Sequence, residues 1–435
     1  MVWCSSRSAG SSVRGPDARF LATGHTGRVE QHDEQGGFVA SVLAWLDHDE
    51  DQRARTVRFL EQFKDQATVD EIGVAAIRDT IAGELFPGLS VLHTRARYFL
   101  LIPWLLQQHA YTGKPAEAAA RDFRSAEIAL IHSLLAGGET AGVIGRTAKK
   151  DLKRMPSSAY WAALAGYGLR TRRESQSSFF ARGRLLAQHW GSTPNAEDPG
   201  AGPRAFDNGL SPTLPPAPPG ISENTTFTLS PDEAGYLRDR FTTSQPASLF
   251  PWVFTHGVAD VDHVWQHPDA GTMPAHLATV ADHGRRLSLA MHGAALLYNL
   301  LVAEKIQDDE TIAYYRNTIS DWAGEVDEQL PHEGWKRDEM WSFLRQRNPR
   351  LPVATQTFVD RWVDSLPDAA GVADNTALRD MVATRERHLK GGRARLGGNQ
   401  AGLDSWSGGS GLFRMDYNWG VARRILGDII EGLPD

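Results

Sequence analysis

Apolar positions recur every three to four residues along much of the chain, and few segments alternate with a period of two. In ETIAYYRNTISDWAGEV, Ile312, Tyr315, Ile319, Trp322 and Val326 follow spacings of 3, 4, 3 and 4, the stripe of an amphipathic helix. TFVDRWVDSL and TALRDMVATRERHL read the same way. A last helix is expected from Asn418 to Ile430, burying Val421, Ile425 and Ile429. Near the start, Val57, Leu60 and Phe63 share one helical face. The longest mostly apolar stretch, Leu287 to Ala303, is slightly short for a membrane span and carries Ser288, His292 and Asn299, so a buried helix is expected there.

Local punctuation places the ends. Thr68 and Glu71 in TVDE form a capping-box pattern, and the helix they open stops at Phe86-Pro87-Gly88. Ser230, Pro231 and Glu233 in SPDE start another helix sharply. Ala126 to Gly138 is helical with a double-glycine end, and Pro103 is expected to kink the helix that contains it. Between Ser192 and Thr225 lie eight of the 23 prolines, which reads as an extended interdomain linker. Residues 1–38 are rich in Ser, Gly and Arg without a sustained period, and disorder is expected. The expectation is a mainly α protein: a disordered extension over 1–38, a helical domain over 39–191, a Pro-rich linker over 192–225 and a second helical domain over 226–435.

Composition narrows the class. One cysteine, Cys4, rules out a disulfide framework and a Cys-rich zinc module and favours a reducing compartment, the cytoplasm. The N-terminal residues lack the apolar core of a signal peptide, so neither export nor a membrane anchor is expected. The net charge of -7 conceals segregation. From Gly145 to Arg184 ten basic residues face two acids, a net +8; from Thr384 to Arg424 eight face three, a net +5. Basic islands on an acidic body are the footprint of a polyanion binder, whereas the plain structural alternative is a solvated helix face.

Within the first island, GVIGRTAKKDLKRMPSSAYWAALAGYGLRTRR parses as a helix from Thr147 to Arg154, a turn at MPSS and a second helix from Ser158 to Gly168. A helix-turn-helix, with a wing after it, would use Ser157 as cap, Trp161 and Leu164 as inner anchors, and Ala159, Tyr160 and Ala163 on the outer face. Lys149, Lys150, Lys153, Arg154, Ser157, Tyr160, Arg170, Arg172 and Arg173 are the candidate nucleic-acid contacts. An ordinary helical hairpin fits the same pattern. In the second island, Lys390, Arg393 and Arg395 among glycines are candidate anion contacts, although no Walker A loop is present. Arg95 and Arg97, at the mouth of the apolar run YFLLIPWLL, require partners if buried: either an external anion or carboxylates such as Glu71, Asp79 and Glu84 on the preceding helix.

Other chemistry is thin. Asp260, Asp262, His263 and His267 carry ligand-type side chains, with the two histidines at i, i+4, yet no HExxH accompanies them, and neither a metal nor a cofactor is expected. No GxSxG, Rossmann glycine pattern or partnered cysteine nucleophile appears, so no catalytic residue is identified.

Six stretches, WLDHDEDQR, TVDEIGVAAIRDTIAGELFPG, TRARYFLLIPWL, GVIGRTAKKDLKRMPSSAYWAALAGYGLR, MHGAALLYNLL and WSGGSGLFRMDYNW, resemble an uncharacterised bacterial family, domain-of-unknown-function family 6361, from about Ala44 to the C-terminus. The resemblance implies a cytoplasmic bacterial protein and an accessory role near DNA processing or phage defence. It brings no activity, cofactor or catalytic residue. The expected partner is nucleic acid; the alternatives are a scaffold subunit that meets an acidic protein and, more weakly, a metal-dependent hydrolase built on Asp260, Asp262, His263 and His267.

Overall fold

The computed structural model describes residues 70–192, 207–221, 223–330 and 334–434. Among these, all the regular elements are helical, and β pairing is limited to one isolated bridge between Arg170 and Leu210. In chain order the α-helices are α1 (Ala75–Leu85), α2 (Tyr98–His109), α3 (Ala116–Ala136), α4 (Pro156–Gly166), α5 (Gln176–Ser192), α6 (Pro231–Ser244) and α7 (Phe250–His256). They continue with α8 (Ala275–Ile306), α9 (Asp309–Gln329), α10 (Arg337–Arg347), α11 (Val353–Asp364), α12 (Thr376–Lys390), α13 (Gln400–Asp404) and α14 (Trp419–Gly432). The protein is mainly α, as the periodicity predicts.

The long helix α8 organises the C-terminal part, with α1, α9, α11 and α12 packed around it. From Leu287 to Ala303 it is apolar on nearly every side because it is covered on nearly every side, and it is the one described helix long and apolar enough to span a membrane. The helix α9 presents Tyr315, Ile319, Trp322 and Val326 to it, the stripe read from the sequence. Two tryptophans tie their indole N–H to the α8 backbone: Trp322 donates to the Leu289 carbonyl at 2.8 Å and Trp362 to that of Ala290 at 2.7 Å. Gly293 permits the approach, since a Cβ there would stand 2.1 Å from the Trp322 ring. Gly293→Ala is therefore expected to destabilise by about 1–3 kcal/mol through overpacking, read as a lower urea midpoint. An unchanged midpoint would mean that Trp322 moves aside freely.

In the N-terminal part, α2 is buried continuously from Tyr98 to Leu106 and is held by α3 and α4. Ser230 accepts from the Glu233 N–H and closes the expected capping box at α6, which packs on α14. The helix after TVDE starts later than its pattern suggests. Asp70 accepts from the N–H groups of Gly73, Val74 and Ala75, while Glu71 turns into the protein; Thr68 lies outside the described residues.

The described residues, from 70 onward, all fall within a single compact unit. The described part of the Pro-rich segment is a strap sealed against α2 and α3. Trp104 donates to the Pro215 carbonyl at 2.7 Å, Tyr111 to that of Asn208, and Ser133 to that of Glu223 at 2.9 Å. Extended backbone with few N–H groups reads as a spacer, but its carbonyls are free acceptors for buried donors, and that is how the fold uses them. The expected disorder of 1–38 and the helical face of Val57, Leu60 and Phe63 fall outside the described residues.

Candidate nucleic-acid interface

Both arginines before α2 are held inside the protein, by carboxylates distant in sequence. Arg95 Nε lies 2.9 Å from Asp428 on α14, and its Nη1 is 3.8 Å from Glu139. Arg97 makes a two-pronged pair with Glu233, Nε–Oε2 3.0 Å and Nη2–Oε1 2.9 Å, and donates to the Thr226 carbonyl. The suggested partners are used elsewhere: Glu71 by Arg395, Asp79 by Arg78, Glu84 by Arg347. Neither Arg95 nor Arg97 is left to bind an external anion.

The helix-turn-helix parse fails on orientation. Its first helix is a single 3-10 turn, Lys149–Asp151, and its second, α4, buries Tyr160 and Ala163, expected outside, along with Leu164, expected inside. Tyr160 is fully buried, accepts from the backbone N–H of Thr94 at 2.8 Å and donates to the Arg95 carbonyl at 3.0 Å. Ala163 and Leu164 are buried beside it. Ser157 is no cap: its N–H and hydroxyl both donate to Glu127, at 2.8 and 3.1 Å, and burial raises the Glu127 pKa to about 7. Arg170 is 3% exposed, stacks 3.7 Å from the Trp161 ring centroid and donates to the carbonyls of Trp161 and Glu174. An alanine-rich helix has no strong moment to declare its inner face, so α2 decides it.

His93 packs against Tyr160 at 4.4 Å, and burial lowers its pKa to about 4. The unfolded chain binds this proton near pH 6.5, the folded chain only near 4, so the stabilisation from neutral His93 is present above pH 6.5 and is lost as pH falls. Glu127 acts in the opposite sense, losing stability as pH rises through about 7. The difference in unfolding free energy between wild type and His93→Gln is therefore expected to shrink by about 2 kcal/mol from pH 7 to pH 5. A constant difference would mean that His93 titrates alike in both states.

What remains of the first island is a loop on the outside. Arg146, Lys149, Lys150, Lys153 and Arg154 are exposed, and among the described residues none of them has a carboxylate partner within ion-pair distance. Gly145, at φ +86°, lets the loop fold onto α3, where a Cβ would meet Leu152 at 2.6 Å. Lys149 sits at φ 46°, left-handed backbone that a lysine adopts at a cost. Arg124 on α3 joins the loop by donating to the Leu152 carbonyl at 2.8 Å, a neighbour that no local pattern reveals. Arg173 is exposed as well, while Arg172 pairs with Asp207.

The second island is absorbed by the core. Arg395 and Lys390 both contact Glu71, and Lys390 Nζ is also 3.4 Å from Glu386. Arg385 is buried and donates to the carbonyls of Ile72 and Gly73. Arg393 is exposed but stands alone. Lys390 and Arg395 are structural cations rather than an anion site. The four ligand-type residues also part company: Asp260 pairs with Arg423, His263 stacks on Trp265 at 4.5 Å, and His267 accepts from the Asp269 N–H. No metal-ligating group of three His, Cys, Asp or Glu occurs among the described residues.

Fold and surface define a mainly α-helical protein, built round one long buried helix, with a basic loop turned to solvent. The chain matches the Family of unknown function (DUF6361) over residues 40–432 and belongs to that family. Neither the curated proteins nor the solved structures contain a match to it.

Proposed function

We propose that this protein is a cytoplasmic nucleic-acid-binding or accessory protein that grips phosphate backbone without reading bases. The observation that carries the reading is the concentration of Arg146, Lys149, Lys150, Lys153 and Arg154, with Arg124 beside them, exposed and without carboxylate partners among the described residues. Five cations fall within residues 146–154 against a single acid, Asp151, and the loop that carries them holds Lys149 at φ 46°. With Tyr160 buried, no side chain is assigned to base readout, and binding should be indifferent to sequence.

Anisotropy titrations with duplex and single-stranded oligonucleotides across a salt series test this. Wild type is expected to bind both near about 50 mM salt, with affinity falling steeply as salt rises. Lys149→Ala with Lys153→Ala should flatten the log–log salt slope by about one unit for each phosphate that is no longer neutralised, equally for unrelated sequences. Melting temperature should barely move, since exposed lysines contribute little to folding. If wild type binds neither strand form at low salt, the reading is wrong, and an acidic protein partner becomes the occupant of this surface.

A further inference from the structure

We infer that the cavity between the start of α1, the middle of α8 and the loop over 411–418 binds a small neutral ring compound whose edge presents a hydrogen-bond donor beside an acceptor, held by Ser288 and His292. The cavity measures about 310 Å³, at the lower end of the roughly 300–1,000 Å³ of small-molecule sites. Its apolar walls include Ile72, Met291, Ala295 and Phe413. At its mouth, Val91 and Phe413 are 76% and 46% exposed, unusual for residues of their type.

Ser288 and His292, one turn apart on α8, both line this space. Ser288 is 2% exposed, and neither its hydroxyl nor His292 Nδ1 has a protein partner. Elsewhere on the same helix the fold satisfies a buried polar side chain in full. Asn299 donates to the carbonyls of Ala295 and Ser410 and accepts from the Ser410 N–H and the Trp406 indole. A buried polar group left unmatched costs free energy, and two such groups on residues that line one cavity mark a place where a ligand completes them. His283 Nδ1 also lacks a partner, but it is not on the cavity wall.

The charged groups around the cavity are already committed, which sets the ligand's charge. Glu71 is held by Arg395 at 2.7 Å, by Lys390 and by the Ser410 hydroxyl. Asp70 and Asp416 accept from backbone N–H groups at the starts of their helices. Arg78 pairs with Asp79, and Arg414 with Glu325. Burial, with Arg414 nearby, lowers the His292 pKa to about 3. The imidazole is then neutral at pH 7, and its unmatched Nδ1 is a donor or an acceptor according to tautomer, beside a hydroxyl that can serve either way. A neutral amide-like edge on a flat apolar ring matches that set; a carboxylate or an ammonium does not.

Calorimetric titration of the full chain with adenine, uracil and benzamide, and with benzoate as the charged counterpart of the last, tests the assignment. At least one neutral compound is expected to bind saturably, with benzoate weaker than benzamide by roughly tenfold or more. Ser288→Ala and His292→Leu should each weaken that binding by about tenfold, while the unliganded melting temperature stays level or rises because an unmatched polar group has gone. Ser288→Ala removes a single oxygen and keeps the helix intact, so its result stands even if His292→Leu misfolds. Absence of saturable binding by all three neutral compounds at millimolar concentration, or full affinity retained in Ser288→Ala, would overturn the proposal. Oligonucleotide binding should be unaffected in both variants, which separates this site from the basic loop.

Discussion

Glu386→Ala is expected to lower the unfolding free energy by about 3–5 kcal/mol, the range for removing one member of a buried charge cluster. Glu386 has no exposed surface. It accepts from the Tyr298 hydroxyl at 2.9 Å and from the backbone N–H groups of Arg395 and Leu396 at 3.0 and 2.9 Å, with Lys390 Nζ at 3.4 Å. Alanine would leave two backbone donors and a phenol unmatched in the interior. It would also leave Lys390, which both carboxylates contact, with Glu71 alone. Glu386→Gln, which keeps the shape and one acceptor oxygen, should cost less. Urea unfolding followed by tryptophan fluorescence measures both. An alanine midpoint equal to that of wild type would show that water reaches the cluster and replaces the carboxylate.

Arg97→Ala should cost a comparable amount, about 3–5 kcal/mol, because it strands a carboxylate that is nearly buried. The Arg97 and Glu233 side chains are 11% and 7% exposed. The effect has a second part, since Glu233 also closes the capping box of α6 by accepting from the Ser230 N–H. Arg97→Lys is expected to recover only part of the loss. A point charge cannot reproduce two parallel bonds to Glu233 together with a third to the Thr226 carbonyl. Full recovery by lysine, measured by the same unfolding curves, would mean that charge alone matters and that the fork geometry does not.

Arg97 also shows where local reasoning stops. Its need for a partner is legible from the residue type and the apolar run that follows it. The partner, Glu233, is 136 positions away and reads locally as the third residue of a helix start. Glu71 is the mirror case: read as part of a capping box, it is drawn into the core by Arg395, 324 positions on. In both, a carboxylate has two competing uses, and the sequence displays only the near one. The second basic island misled for this reason: Glu71 holds Lys390 and Arg395, Glu325 pairs with Arg414 and Asp260 with Arg423, all three acids lying outside the island in sequence.

The sequence by itself determined the helical class, the buried stripe of α9, the sharp start of α6 and the burial of α8, because periodicity and capping act within one or two turns. It also marked out the exposed lysines from Lys149 to Lys153, whose solvation needs no neighbour. Tertiary structure alone decided that α4 turns Tyr160 inward, that the described prolines strap α2 and α3, and that Arg170, Lys390 and Arg395 serve the fold. It alone set Ser288 and His292 on one cavity wall, since a serine and a histidine one turn apart on an apolar helix look the same in sequence whether or not the packing completes them. Local patterns report the free energy of a segment with water and with itself; which face meets which neighbour depends on residues hundreds of positions apart.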